Sequence, residues 1–247
     1  MSLPFLKLAL RKPSLLRAAK IISTTGLATL TTGSTCYFLA TRDQTFHHLD
    51  ETTDPLALHP LTRSFNPHAN KSLSDIYEAR LPLSKIEPEL LEDYRHGGSR
   101  LVERYCGGVL GGWGFAPQRY LSLRHAKQHG FSHSDELYTK AEIERSNFAE
   151  GVAISDHFTV IAKTPTSILF RGGSPSNSEG LREVDVLMQA VVEVDGKTEM
   201  AKLSLKCMFY NGIGRGSPPP LPEAITWAHL LYAKALAANG TAACRRS

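Results

Sequence analysis

Residues 151–210 constrain the fold of this chain most, because their apolar residues recur at every second position. In residues 156–163 (DHFTVIAK), Phe158, Val160 and Ala162 share one face, and His157, Thr159 and Lys163 lie on the other. Residues 167–171 (SILFR) are short, β-branched and aromatic. Residues 184–194 place Val184, Val186, Met188, Ala190 and Val192 on one face, and residues 200–210 (MAKLSLKCMFY) do the same with Leu203, Leu205, Cys207 and Phe209. A period of two marks half-buried strands. Asp195-Gly196 separates the last two runs and predicts a two-residue hairpin, since both residues tolerate the positive φ of a type I′ turn. The outcome is an antiparallel sheet with one apolar face, and something must cover that face.

Residues 222–239 are the expected cover. Leu221, Ile225, Ala228, Tyr232 and Leu236 recur at spacings of three and four, a helical stripe. Pro218, Pro219 and Pro220 keep the chain extended before it, and Asn239-Gly240 reads as its end. A sheet closed by one long C-terminal helix is an α+β arrangement.

Upstream, residues 43–72 are polar, contain Pro55, Pro60 and Pro67, and show no period, so residues 41–72 read as a linker. Residues 76–83 (IYEARLPL) read as a first strand with Pro82 at its end or edge. Residues 87–105 follow a helical pattern, split at Gly97-Gly98. Residues 107–115 (GGVLGGWGF) hold no phosphate-loop or dinucleotide fingerprint. Close backbone packing, with Val109, Leu110, Trp113 and Phe115 buried, is the favoured use, and the floor of a ligand cavity is the second. Residues 117–128 and 134–146 read as further helices, the latter capped by Ser134. The domain spans residues 73–239, with a tail at 240–247.

Charge is segregated. Residues 1–42 carry six basic side chains and no acidic one, so the rest of the chain holds 22 basic and 24 acidic groups. A nucleic-acid reader carries its positive charge on the folded domain, so no nucleic-acid partner is expected. Residues 1–20 form a basic leader, and residues 21–40 contain no charge, a length that crosses a hydrocarbon core of about 30 Å. Six Thr, two Ser and two Gly make that stretch a poor apolar span, although hydroxyls bond back to helix carbonyls. It reads as a single-pass anchor in the mitochondrial inner membrane or the endoplasmic reticulum, with a cleaved or disordered leader as the alternative. Asn70 and Asn239 begin N-x-[ST] sequons, candidates for glycosylation in the reticulum lumen.

Strand, helices, strands and closing helix in this order resemble the helix-grip, START-like (SRPBCC) superfamily, through YEARLPL, DHFTVIAK and PEAITWAHLLYAKAL. More narrowly, DHFTVIAK followed by KLSLKCMFYNGIGRG looks like a group of small fungal proteins, some encoded beside secondary-metabolite genes. The resemblance covers about residues 73–237 and implies an apolar ligand (a lipid, polyketide or terpenoid-like molecule) held between sheet and helix. A minority of the superfamily are cyclases or hydrolases. A hotdog acyl thioesterase is the rival fold, although a closing C-terminal helix argues against it. A pocketless assembly factor is the remaining class.

Candidate ligand contacts are Trp113, Phe115, Phe158 and Phe170, together with Met188, Phe209 and Tyr232. Candidate proton-moving groups are Asp156, Asp185 and His229, with Glu150 as a further carboxylate. Asp156 and His157 are strand neighbours facing opposite ways, so they do not form one acid–base pair. His229 lies one position from the helical stripe and would border a cavity. The polar loop 172–182 reads as a hairpin connection or a cavity mouth. The four cysteines, Cys36, Cys106, Cys207 and Cys244, show no zinc-type spacing, and Cys207 reads as a small core residue. Neither a metal nor a cofactor is expected.

Overall fold

The strand pairs foreseen in residues 156–210 form the centre of the sheet. The structure, a computed structural model, describes residues 33–129, 136–173, 180–218 and 221–246. The chain divides into residues 1–40 and 41–247. The leader and residues 21–32 of the candidate anchor lie outside the described residues, and residues 33–41 are helical (α1). Among the described residues no helix is long and apolar enough to cross a membrane.

The larger unit runs β1 (Thr45–His47), α2 (Pro60–Phe65), β2 (Leu73–Pro82), α3 (Pro88–Arg95), α4 (Arg100–Gly111), α5 (Ala116–His129), β3 (Glu136–Leu137), α6 (Lys140–Arg145) and β4 (Ala153–Ile154). It continues with β5 (Phe158–Lys163), β6 (Ser167–Gly172), β7 (Asp185–Asp195), β8 (Met200–Tyr210) and α7 (Glu223–Ala243). The eight strands form one sheet in the order β1-β2-β8-β7-β6-β5-β4-β3, antiparallel except for β3 beside β4. The expected α+β class, with a C-terminal helix on an antiparallel sheet, holds at this level.

The period of two reads out as two buried faces. Phe158, Val160, Phe170, Met188, Ala190, Val192, Leu203, Leu205 and Cys207 belong to the front core, which α4 and α7 cover. The alternate residues are buried as well: Leu169, Leu187, Met208 and Tyr210 form a back core with Leu49 and Leu56. The segment 41–72 is therefore part of the domain rather than a linker. Its β1 pairs with β2, Leu56 is fully buried, and Asp54 pairs with Lys206 of β8 at 2.7 Å. Periodicity missed it because a few well-placed apolar residues, not a regular element, do the covering.

Three boundaries differ from the sequence expectation. The β7–β8 connection has four residues, 196–199, closing on the Asp195–Met200 pair. Asp195 accepts bonds from Lys197 N–H and the Thr198 hydroxyl, and positive φ falls on Glu199 rather than on a type I′ pair. The helix expected over 134–146 is shorter: Glu136–Leu137 is a strand, and α6 begins after a Thr139–Glu142 capping box. Ser134 lies outside the described residues.

α7 continues through Asn239 and Gly240 to Ala243. Those residues sit where α7 crosses α4. A Cβ on Gly108 would lie 2.6 Å from the Asn239 carbonyl oxygen and 2.8 Å from Gly240 Cα. A Cβ on Gly240 would lie 2.5 Å from the Tyr105 ring. The glycine run thus serves backbone contact, with Val109, Leu110 and Phe115 buried as expected and Trp113 exposed.

Gly108→Ala sets two effects against each other. Helix propensity favours Ala by about 1 kcal/mol, and overpacking costs about 1–3 kcal/mol. With backbone atoms at these distances the steric term is expected to win, lowering the urea midpoint; an unchanged or raised midpoint would show that the helices can part.

Candidate functional site

The second half of α7 is buried and built of small residues: Ala233, Ala235, Ala237, Ala238 and Gly240. It lies against α4, which ends at Gly111. The first half runs on past that end, and a cavity of about 400 Å³ opens between it and the sheet. Ile225, Ala228, His229 and Tyr232 of α7, with Leu221 just before it, form one wall, and Phe158, Gly172, Val186 and Phe209 form the sheet wall. Gln118 of α5 accepts a hydrogen bond from the Tyr232 hydroxyl and ties the third wall to the helix. Behind Phe158, Phe115 lies at 5.9 Å and Phe170 at 6.3 Å between ring centroids.

Of the seven expected ligand contacts, Phe158, Phe209 and Tyr232 line this cavity. Phe115, Phe170 and Met188 are core residues, and Trp113 is 53% exposed on the turn after α4. Gln118, His157, Gly172 and Val186 join the lining without having been singled out as contacts.

His229 stands in the cavity wall, but its partner is none of the carboxylates suspected from sequence. Its Nε2 lies 2.6 Å from Oδ2 of Asp75, which is 1% exposed. Asp75 Oδ1 is buried without a hydrogen-bond partner. Cys207 is the cross-strand neighbour of Asp75 in the β2–β8 register, and donor atoms of Asp75, Cys207 and His229 all lie within 4.8 Å of one another. Burial, and then the Asp75 carboxylate, push the Cys207 thiol well above its ordinary pKa. A thiol so disposed is a poor nucleophile. The ring of Phe209 packs edge-on to His229 at 4.5 Å and covers it. One signal for Asp75 was present in the sequence: it occupies the buried phase of β2, in step with Tyr77, Ala79 and Leu81.

Asp185 and Asp156 are elsewhere. Asp185 is fully buried, but it adjoins Val186 in a strand and so faces the other side of the sheet. There it accepts from Arg171 Nε at 3.0 Å, and the Arg171 guanidinium lies 3.8 Å from the Phe65 ring centroid. Asp156 sits in the β4–β5 turn at φ +49°, its N–H bonded to the Glu136 carboxylate, and it does not line the cavity. Glu150 is exposed and accepts from Lys163 N–H at 3.2 Å. None of the three lines the cavity.

The sequon asparagines are also engaged. The Asn70 amide is buried and donates to the carbonyls of Asn211 and Gly214, both at 2.7 Å, bonds that a glycan on that nitrogen would break. The Asn239 amide donates to Ala235 O within α7, and its oxygen accepts from Trp113 N–H.

Compared with protein-family models, with curated proteins and with solved structures, the chain gives no match.

Two outcomes follow. Removing Asp185 strands a buried guanidinium, so Asp185→Ala is expected to cost about 3–5 kcal/mol in chemical denaturation; a cost below 1 kcal/mol would mean that Arg171 finds water. His157, on the cavity rim, is held below the ordinary imidazole pKa by burial, a shift the Asp156 charge partly opposes. The folded state thus disfavours the proton, and the unfolded chain takes it up first as pH falls below about 6.5. Stability should decline through that window in the native protein and decline less in His157→Gln; equal slopes would contradict this.

Proposed function

We propose that this chain is a helix-grip domain that holds an apolar small molecule between α7 and the sheet, tethered to a membrane by residues 21–40. The cavity supports the binding part: Phe158, Val186, Phe209, Leu221 and Ile225 surround it, its volume suits a small ligand, and a few polar groups (Gln118, His157, His229, the Tyr232 hydroxyl) stand at its walls to orient one. The ligand class, a lipid or a polyketide or terpenoid-like compound, and a place in natural-product synthesis rest on the family resemblance. The membrane tether rests on the length and lack of charge of residues 21–40.

A second reading is enzymatic: a hydrolase or cyclase acting on such a molecule. One observation favours it, a buried carboxylate bonded to a histidine in the cavity wall. Apolar carriage alone has no need of that pair, because buried polar groups cost stability unless they are fully partnered.

Ala228 faces the cavity from an exposed helix position, so a large side chain there fills the space without entering the core. Wild-type protein is expected to brighten N-phenyl-1-naphthylamine, an uncharged apolar fluorophore, saturably and once per chain. Ala228→Trp should weaken that binding at least tenfold, about 1.4 kcal/mol, with unchanged circular dichroism. Undiminished binding by the folded variant would sink the cavity as the site.

A further inference from the structure

We propose that Asp75, Cys207 and His229 bind a zinc ion at the inner wall of the cavity. Among the described residues this is the one place where three such side chains converge, and they offer oxygen, sulfur and nitrogen donors within 4.8 Å of one another. Two of the three are placed by the sheet itself: Asp75 and Cys207 are paired across β2 and β8 on the front face. The third comes from α7, already in contact with Asp75 at 2.6 Å. Tetrahedral zinc with bonds of about 2.0–2.3 Å spaces its donors roughly 3.3–3.6 Å apart, so the site needs a shift of about an ångström rather than a refolding.

The cluster holds a buried acceptor without a partner. Asp75 Oδ1 is buried with no partner, and a buried carboxylate oxygen left so is costly. Cys207 faces that carboxylate from the neighbouring strand. A divalent ion acts on both groups: it gives the carboxylate its missing partner and turns the thiol into a bound thiolate. A neutral imidazole, a thiolate and a carboxylate carry two negative charges, which zinc cancels inside an apolar wall. Binding releases the Cys207 proton to solvent. The donor set also discriminates: a thiolate with an imidazole suits zinc, whereas magnesium and calcium take oxygen donors. Three protein donors are one fewer than a closed structural zinc site uses, so one position stays open. His229 borders the cavity, which provides the entry path and a place for a polar atom of the cavity ligand on that fourth position.

The test uses the full chain with cobalt(II) as the optical probe and zinc as competitor. Wild-type protein is expected to take up one cobalt per chain, with a near-ultraviolet thiolate-to-cobalt band and the visible absorption of a tetrahedral ion, both erased by zinc. Cys207→Ser should abolish the thiolate band, and the near-isosteric Asp75→Asn should weaken cobalt binding at least tenfold while keeping the band. No stoichiometric uptake by the wild type, uptake without a thiolate band, or a band that survives Cys207→Ser would each overturn the proposal. Should Cys207→Ser fail to fold, His229→Gln, at a half-buried helix position, is expected to lose the cobalt, and retained uptake by that folded variant would overturn the proposal. Metal uptake is read without any apolar ligand, so its failure and the failure of fluorophore binding are separate results.

Discussion

The crossing of α4 and α7 at Gly108 and Gly240 organises the front of this molecule. Backbone touches backbone there, because neither residue has a Cβ to hold the helices apart. The contacts of Gly108, Gly112 and Gly114 step back along α7 from Ala243 through Asn239 to Ala235, so the two helices run antiparallel. α4 then ends, its last carbonyls capped by Arg119, which donates to Leu110 O at 2.7 Å and Gly112 O at 3.0 Å. α7 continues past that end over the sheet, with Gln118 of α5 at its side, and its larger residues Ile225, His229 and Tyr232 line the space left between. The cavity is therefore a by-product of unequal helix lengths, and the glycines that make the crossing tight also decide where it opens.

The sheet can serve as the cavity floor because its other side is held independently. Leu49, Leu56, Leu61 and Phe65 lie on the back face, and two ion pairs, Lys206–Asp54 and Arg171–Asp185, fix the segment and the strands where polar residues interrupt the apolar ones. A buried pair of this kind contributes little net stability, since desolvation offsets attraction, but it is costly to break. That asymmetry suits a register device: slipping β6 against β7 by one residue would separate Arg171 from Asp185 and turn the front residues of β6 to the back.

Much of this was legible in the sequence because it is local. The alternation in β7 and β8 and the stripe of α7 are written within a dozen residues each, and they emerged with ends displaced by a few positions. The split at Gly97-Gly98 was legible for the same reason. What stayed hidden was non-local. Residues 41–72 have no period, and their cover of the back face depends on single residues such as Leu56. Asp75 and His229 are 154 residues apart, and nothing in either neighbourhood names the other. Asp185 and Asp156 were suspected as acids in a cavity-facing chain, but a strand residue faces one side only, and the phase of β7 sends Asp185 to the back. The helical stripe sets the angle at which His229 lines the cavity, while its partner is set by the β2–β8 register.

That partner is a carboxylate in a buried strand position. β2 has Tyr77, Ala79 and Leu81 on its front face, and an apolar residue at position 75 would complete the row. A carboxylate removed from water loses far more solvation than one hydrogen bond returns: a bond to a charged group contributes about 1.5–3 kcal/mol, and an uncompensated buried ion costs several. His229 satisfies one oxygen and leaves the other bare. Apolar replacements of buried ionic groups are often neutral or stabilising, so the packing of the core does not by itself call for Asp75. Its position beside Cys207, under His229 and at the wall of the cavity does, if the three groups act together on something that enters from that side.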